Sequence, residues 1–203
     1  MTSIITGDII NSRRLPSAVW MEGLKALLQT FGASPAQWEI YRGDEFQLEV
    51  PNPEDALRAA IQIKAFLKTV RLDARMSIGI GEKTYHAAKL SESNGSAFVR
   101  SGELFETLKK QKITLAVHSG VADFDATLNL MLRLGLTFMN QWLVQSAEFT
   151  LVTLEHQTLS QEELGQKLGI NQAAVSRRRK RAHFDLVLEL DAYYRQKTRT
   201  LTL

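Results

Sequence analysis

Cysteine is absent from the chain, which excludes disulfides and thiolate metal sites and fits a cytoplasmic location. Histidine is scarce: His86, His118, His156 and His183 are scattered without metal-ligand spacing, and each reads as surface or core. Proline numbers only four and hydrophobic residues make up 44% of the 203 positions, so no long segment reads as disordered. No run is apolar enough to span a bilayer, and Met1 to Asp8 lacks a basic stretch followed by a long apolar one, so no membrane partner is expected. Gly79-Ile80-Gly81 is too short for a dinucleotide fingerprint, and no nucleophile elbow is present. No catalytic residue is assigned.

The formal net charge of +3 conceals an asymmetry. From Leu159 onward there are nine Lys and Arg against five Asp and Glu, while the first 158 residues carry sixteen and seventeen. The whole basic excess sits at the C-terminal end, which points to an anionic partner there, nucleic acid first and membrane surface second.

Hydrophobic spacing predicts an α+β chain in two parts. Thr2 to Thr6 reads as a strand, and Ser17 to Phe31 as a helix with Val19, Trp20, Leu24, Leu27 and Leu28 on one face. A hairpin follows, Trp38 to Tyr41 and Phe46 to Val50, turning at Gly43-Asp44. Ala56 to Thr69 is a helix opened by Pro53 and two acids. Ala74 to Ile80, Ala97 to Lys110 and Ile113 to Val117 read as strand, helix and strand, with a polar loop over Lys83 to Gly95. The order β-α-β-β-α-β, then α-β, is that of a ferredoxin-like core with an extension, over residues 1–120. Residues 121–203 read as helical, with Leu128, Leu132, Leu136, Met139 and Leu143 as a core stripe.

Two acids follow glycines against β-prone runs: Asp8 in Ile4-Ile5-Thr6-Gly7-Asp8-Ile9-Ile10, and Asp44 in Tyr41-Arg42-Gly43-Asp44-Glu45-Phe46. A strand ending in one acid and a hairpin offering a second can hold divalent cations on a nucleoside triphosphate. Gly43-Asp44 is equally well read as an ordinary turn.

Gly7-Asp8-Ile9 and Arg42-Gly43-Asp44-Glu45-Phe46 resemble the two acidic sites of the adenylate and diguanylate cyclase superfamily. Pro53 to Ala60, Ser77-Ile78-Gly79-Ile80-Gly81 and Gly95-Ser96-Ala97-Phe98 are similar to the elements that follow in those proteins, in order across about 100 residues. With its C-terminal segment, the chain resembles the SatD family of bacterial proteins. The resemblance implies a cyclase-like palm in which Asp8 and Asp44 hold Mg²⁺, with Glu45 as a competing ligand. It implies a nucleotide near Ile9, Asn11, Ser12, Arg13, Arg42, Gly43 and Arg100. The helix places where adenylate cyclases carry an Asn and an Arg hold Val99 and Glu103 here. Losing such a donor costs about 10²–10³ in rate, so a nucleotide or metal sensor is at least as well supported as a cyclase.

Leu159 to Ser176 reads as helix, tight turn, helix. Ser160 and Glu163 make a capping box, Leu164 and Leu168 face the core, Gly165 allows close approach, and Gly169 supplies the turn before Ile170 and Val175. The pattern resembles repressors and region four of sigma factors. The second helix continues into Arg177-Arg178-Arg179-Lys180-Arg181, whose cations helix geometry spreads round the cylinder. Asn171, Gln172, Ser176, Arg177, Arg178, Lys180 and Arg181 are the expected contacts to double-stranded DNA; the plain alternative is a solvated helical pair packed on the first part. Phe184 and Leu186 are candidate apolar anchors in place of Arg178 and Arg179.

Three readings follow: a DNA-binding regulator with a nucleotide-sensing, Mg²⁺-binding palm and helix-turn-helix at about 160–183; a nucleotide-processing enzyme whose helices serve a dimer or partner; and a non-catalytic interaction protein. The first is favoured, as a homodimer matching paired half-sites.

Overall fold

A computed structural model describes residues 1–201, and the last two positions of the 121–203 segment lie outside them. Five strands form one sheet: β1 (Thr2–Ile10), β2 (Trp38–Tyr41), β3 (Glu45–Val50), β4 (Asp73–Gly81) and β5 (Leu115–His118). Their order is β2-β3-β1-β4-β5, antiparallel throughout except for the parallel β4–β5 pair. The helices are α1 (Met21–Gln29), α2 (Ala56–Thr69), α3 (Ser96–Gln111), α4 (Ala122–Met139), α5 (Val144–Glu155), α6 (Gln161–Leu168), α7 (Gln172–Arg181) and α8 (Phe184–Arg199). The fold is α+β with a mixed sheet.

Strand alternation explains how the sheet is clothed. Ile5, Leu48 and Ile78 are cross-strand neighbours, all fully buried on one face. On the opposite face Thr6 and Ser77 meet Ser101 of α3, Thr6 Oγ1 at 3.0 Å and Ser77 donating to the Ser101 carbonyl at 2.7 Å. Gly79 makes that contact feasible: a Cβ there would strike the backbone of Ala97 and Ser101.

Helix α2 ties the chain together. Ten of its fourteen residues are buried, from Ala56 to Leu67, so it has no solvent stripe. A helix apolar all round must be covered on all sides. The hydrophobic core consequently runs on from Ile5 and Leu57 to Leu132, Phe149, Val187 and Tyr194. Tyr194 donates to the Pro53 carbonyl at 2.9 Å, and Arg58 pairs with the buried Asp191 of α8.

Four expectations need correction. The first strand continues to Ile10, because Gly7, Asp8, Ile9 and Ile10 keep partners on β4; Asp8 is therefore inside the strand and not at its end. Val19 is exposed, since Ser17–Val19 form a separate turn after Pro16 and the helix begins at Met21. The last strand starts at Leu115, after Lys112 ends α3 in a left-handed conformation. Leu143 leaves the stripe: α4 stops at Met139, and Leu143 stands exposed in the turn before α5.

Candidate functional site

The register of β1 sets the first site. Asp8 lies opposite Glu45 on β3 and Arg75 on β4, so the three side chains share a sheet face. Arg75 Nη1 stands 3.2 Å from Asp8 Oδ2, whereas Asp8 Oδ1 is buried without a partner. Burial raises the Asp8 pKa, against the lowering influence of Arg75 and Lys109. Asp44 is carried to the same place by the hairpin. Its carbonyl accepts from the Ile9 amide at 3.0 Å, and its Oδ2 accepts from Ser12 Oγ at 2.7 Å.

Together Asp8 and Asp44 line a cleft of about 520 Å³ with Asn11, Ser12, Arg13 and Arg75. A second hollow of about 290 Å³ shares Ser12, Arg13 and Asp44 with it and extends to Arg42, Gly43 and Trp20. The Trp20 ring is buried and its Nε1–H has no acceptor. Three buried polar atoms without partners, Asp8 Oδ1, Arg75 Nε and Trp20 Nε1, therefore belong to residues that line the adjoining hollows, a rare condition in a folded interior. The rims are strained as well: Asn11 (φ 60°) and Arg42 (φ 51°) are both left-handed without being glycine. Such residues cluster at ligand clamps and switch regions.

Charge in the cleft suits an anion with a cation. Arg13 and Arg14 are exposed and have no ion-pair partner among the described residues. Asp8 Oδ1 is uncommitted and Asp44 uses one oxygen, so these two carboxylates would be the donors to a hard cation, which would complete its shell with water or phosphate oxygens. Glu45 is a poorer ligand, drawn to Lys109 at 3.6 Å and Arg42 at 3.7 Å. Among the described residues no three His, Cys, Asp or Glu side chains gather as a metal site.

One expected member lies elsewhere. Arg100 donates to the Ile80 carbonyl at 2.6 Å and packs on Gly120, at the opposite end of β4 from Arg75. Five residues of strand separate those ends, about 17 Å. Val99 is exposed near the start of α3, whose first half covers the Ser77–Gly79 end of the sheet. Arg75 joins the cleft, Trp20 the adjoining hollow and Lys109 the neighbouring Glu45 without any sequence signal, because only strand register and helix packing bring them there, while Arg14 enters beside Arg13.

The second site is helical. Ser160 and Glu163 form the reciprocal capping box, Gly169 ends α6 at φ 65°, and Asn171 caps α7 by accepting from the Ala174 amide at 2.9 Å. At Gly165 an added Cβ would lie 2.7 Å from the Ile170 carbonyl. Val175 and Ala182 are fully buried, and Trp142 Nε1 donates to the Ala182 carbonyl at 3.0 Å. Phe184 is buried as an anchor; Leu186 is exposed and is not one.

The cations of α7 divide into two sets. Arg178 pairs with Glu148 at 2.6 Å and Arg179 with Asp185, so both are turned aside, and Arg178 leaves the set of free contacts. Arg177, Lys180 and Arg181 are exposed and have no ion pair among the described residues. With Gln172 and half-buried Ser176 they occupy about half the circumference, which a period of 3.6 residues allows, whereas the cap residue Asn171 lies outside that arc, towards the side of buried Val175. The five cations are thus spread as expected, yet three share one open face.

Comparison of the chain with protein-family models, with curated proteins and with solved structures finds no match. No helix among the described residues is long and apolar enough to cross a membrane.

Proposed function

We propose that the chain is a DNA-binding transcriptional regulator whose α/β part senses a nucleotide together with Mg²⁺. The observation that carries the reading is the open face of α7, with Arg177, Lys180 and Arg181 unpaired and Gln172 beside them on a fully capped helix pair. The first residues of such a helix meet base edges and the later cations meet phosphates, so Gln172, Ser176 and Arg177 are the specificity contacts.

The β-α-β-β-α-β order with strands in the sequence 2-3-1-4 supports a ferredoxin-like, cyclase-like palm, in keeping with the SatD resemblance. In that palm Asp8 and Asp44 would hold the cation, which neutralises phosphate charge when bound. Arg13 and Arg14, both exposed at the cleft, would pair with phosphate oxygens. The nucleotide-processing alternative gains from one observation, Lys109 close to Glu45 at the Asp8 end of the sheet.

Fluorescence anisotropy with duplex DNA at several salt concentrations tests the reading. Binding that falls steeply with salt and is lost when the exposed Arg177, Lys180 and Arg181 are all changed to Gln is expected. Affinity unchanged in that triple variant refutes the DNA assignment, and a thermal-shift panel of nucleotides with Mg²⁺ tests the palm separately.

A further inference from the structure

Helices α4 and α8 leave an apolar surface that neither the cleft nor α7 uses. Leu130 and Leu134 on α4 are 51% and 63% exposed, and Leu186 on α8 is 50% exposed. Between the helices runs a groove of about 530 Å³, walled by Met131, Phe138, Leu186 and Tyr193. Its floor is Gly135, where a Cβ would lie 3.4 Å from Leu190 Cδ2. Exposed apolar side chains grouped in this way mark an interaction site.

We propose that this face is the interface of a two-fold symmetric homodimer, in which the Leu130–Leu134 ridge of each chain seats in the other's groove. A ridge and a groove lying side by side on one face are what an isologous contact requires, because a two-fold axis between them lays each ridge on the partner's groove. The charges outside them support the same occupant. Arg133 lies on the flank of α4 facing away from the groove, by helical spacing from Met131 and Gly135. Glu189 lies on the α8 wall. Neither has an ion-pair partner among the described residues. Across the face the order is Arg133, ridge, groove, Glu189. The same axis that overlays ridge and groove brings Arg133 of each chain to Glu189 of its mate. The inference stands on this face alone and holds whether or not α7 binds DNA.

Sedimentation equilibrium of the full chain is the test. A dimer at micromolar concentration is expected, with Leu134→Glu monomeric at the same concentration and folded by circular dichroism, since Leu134 is exposed. Arg133→Glu and Glu189→Arg should each weaken the dimer by about tenfold, and the double variant should regain most of that loss. A wild-type chain that stays monomeric at about 100 μM overturns the proposal, as does a Leu134→Glu chain that still dimerises. A double variant as weak as the singles overturns the two-fold arrangement.

Discussion

The cleft and the α6–α7 pair are built on opposite terms. In α6–α7 each local demand is met nearby: Ser160 and Glu163 cap one helix, Asn171 caps the next, and Gly169 supplies the left-handed turn. In the cleft, Asp8 Oδ1 and Trp20 Nε1 are buried without partners, and Asn11 and Arg42 are held left-handed. Burial raises the pKa of Asp8, whereas hydrogen bonds from Ser160 lower that of Glu163. Caps met within the segment fix the ends of α6 and α7 locally. Buried polar atoms without partners cost the cleft stability, a cost that Ser3 Oγ and Asp191 Oδ1 also carry elsewhere in the fold.

The largest effect should come from the cleft. Asp8→Asn keeps the shape of the side chain but removes the charge that a cation needs, and Asp44→Asn does the same on the hairpin. Each should weaken Mg²⁺-dependent nucleotide binding by about 100-fold, the upper end of the 10–100-fold that losing an outer-shell partner costs. Isothermal titration with and without Mg²⁺ measures it. Equal loss in both conditions would show that the carboxylates act without metal, and no loss would end the cleft's role.

A second contrast lies in electrostatic load. Lys64 on α2 is fully buried, bonded to Asp73 at 2.7 Å, and burial lowers its pKa to about 8. An unfolded lysine titrates near 10.5. Between those values the unfolded chain binds the extra proton, so stability rises with pH by up to about 1.4 kcal/mol per unit. Buried Tyr194 has its pKa raised and opposes the trend only above pH 10, where unfolded tyrosine ionises. Urea unfolding from pH 8 to 10 should show the rise in the wild type and a flatter profile in Lys64→Met.

The two regions also differed in how far they could be read. Caps, turn and buried positions of α6–α7 depend on residues within four places of each other, and spacing reveals them. Even there the pairing of Arg178 with Glu148 stayed hidden, because it spans thirty residues. In the α/β part the periods gave the elements, but the partners of Asp8 depend on register. Arg75 is 67 residues away, and no local pattern marks it. Arg100 illustrates the reverse: a cation in a suggestive place that packing carries to the far end of the sheet. In β1 an acid reads as a strand terminus in the sequence alone, and only the two flanking strands carry the ladder past Thr6.

A third expectation concerns the open face of α7. Lys180→Gln with Arg181→Gln removes two phosphate contacts, so the slope of log affinity against log salt should flatten by about 1.8. Raising salt from 50 to 200 mM should then cost the variant about tenfold less than the wild type. Changing Gln172 or Arg177 should instead alter sequence preference, by about 1–3 kcal/mol per lost base contact. Arg178→Gln is the control, because its partner is Glu148, and it should change the salt slope little.

The smallest effect should be at Ser160. Its hydroxyl accepts from the Glu163 amide at 3.2 Å while Glu163 accepts from the Ser160 amide at 2.7 Å. Ser160→Ala removes one half of the box and should destabilise the chain by about 1 kcal/mol. The change is local, since Leu164 and Gly165 still bury α6 against its neighbours. Nucleotide binding should be unaltered and DNA binding nearly so. The pH signature runs opposite to that of Lys64. The pKa of Glu163 is lowered on folding, so its contribution is present above the unfolded value and lost as pH falls through the folded one. In Ser160→Ala the titration of Glu163, followed by NMR, should move only part of the way up towards its ordinary range, because the amide of residue 160, the larger cause of the lowering, is kept. A titration that stays where it was would mean that the helix amides alone hold the carboxylate, and that α6 begins without help from its cap.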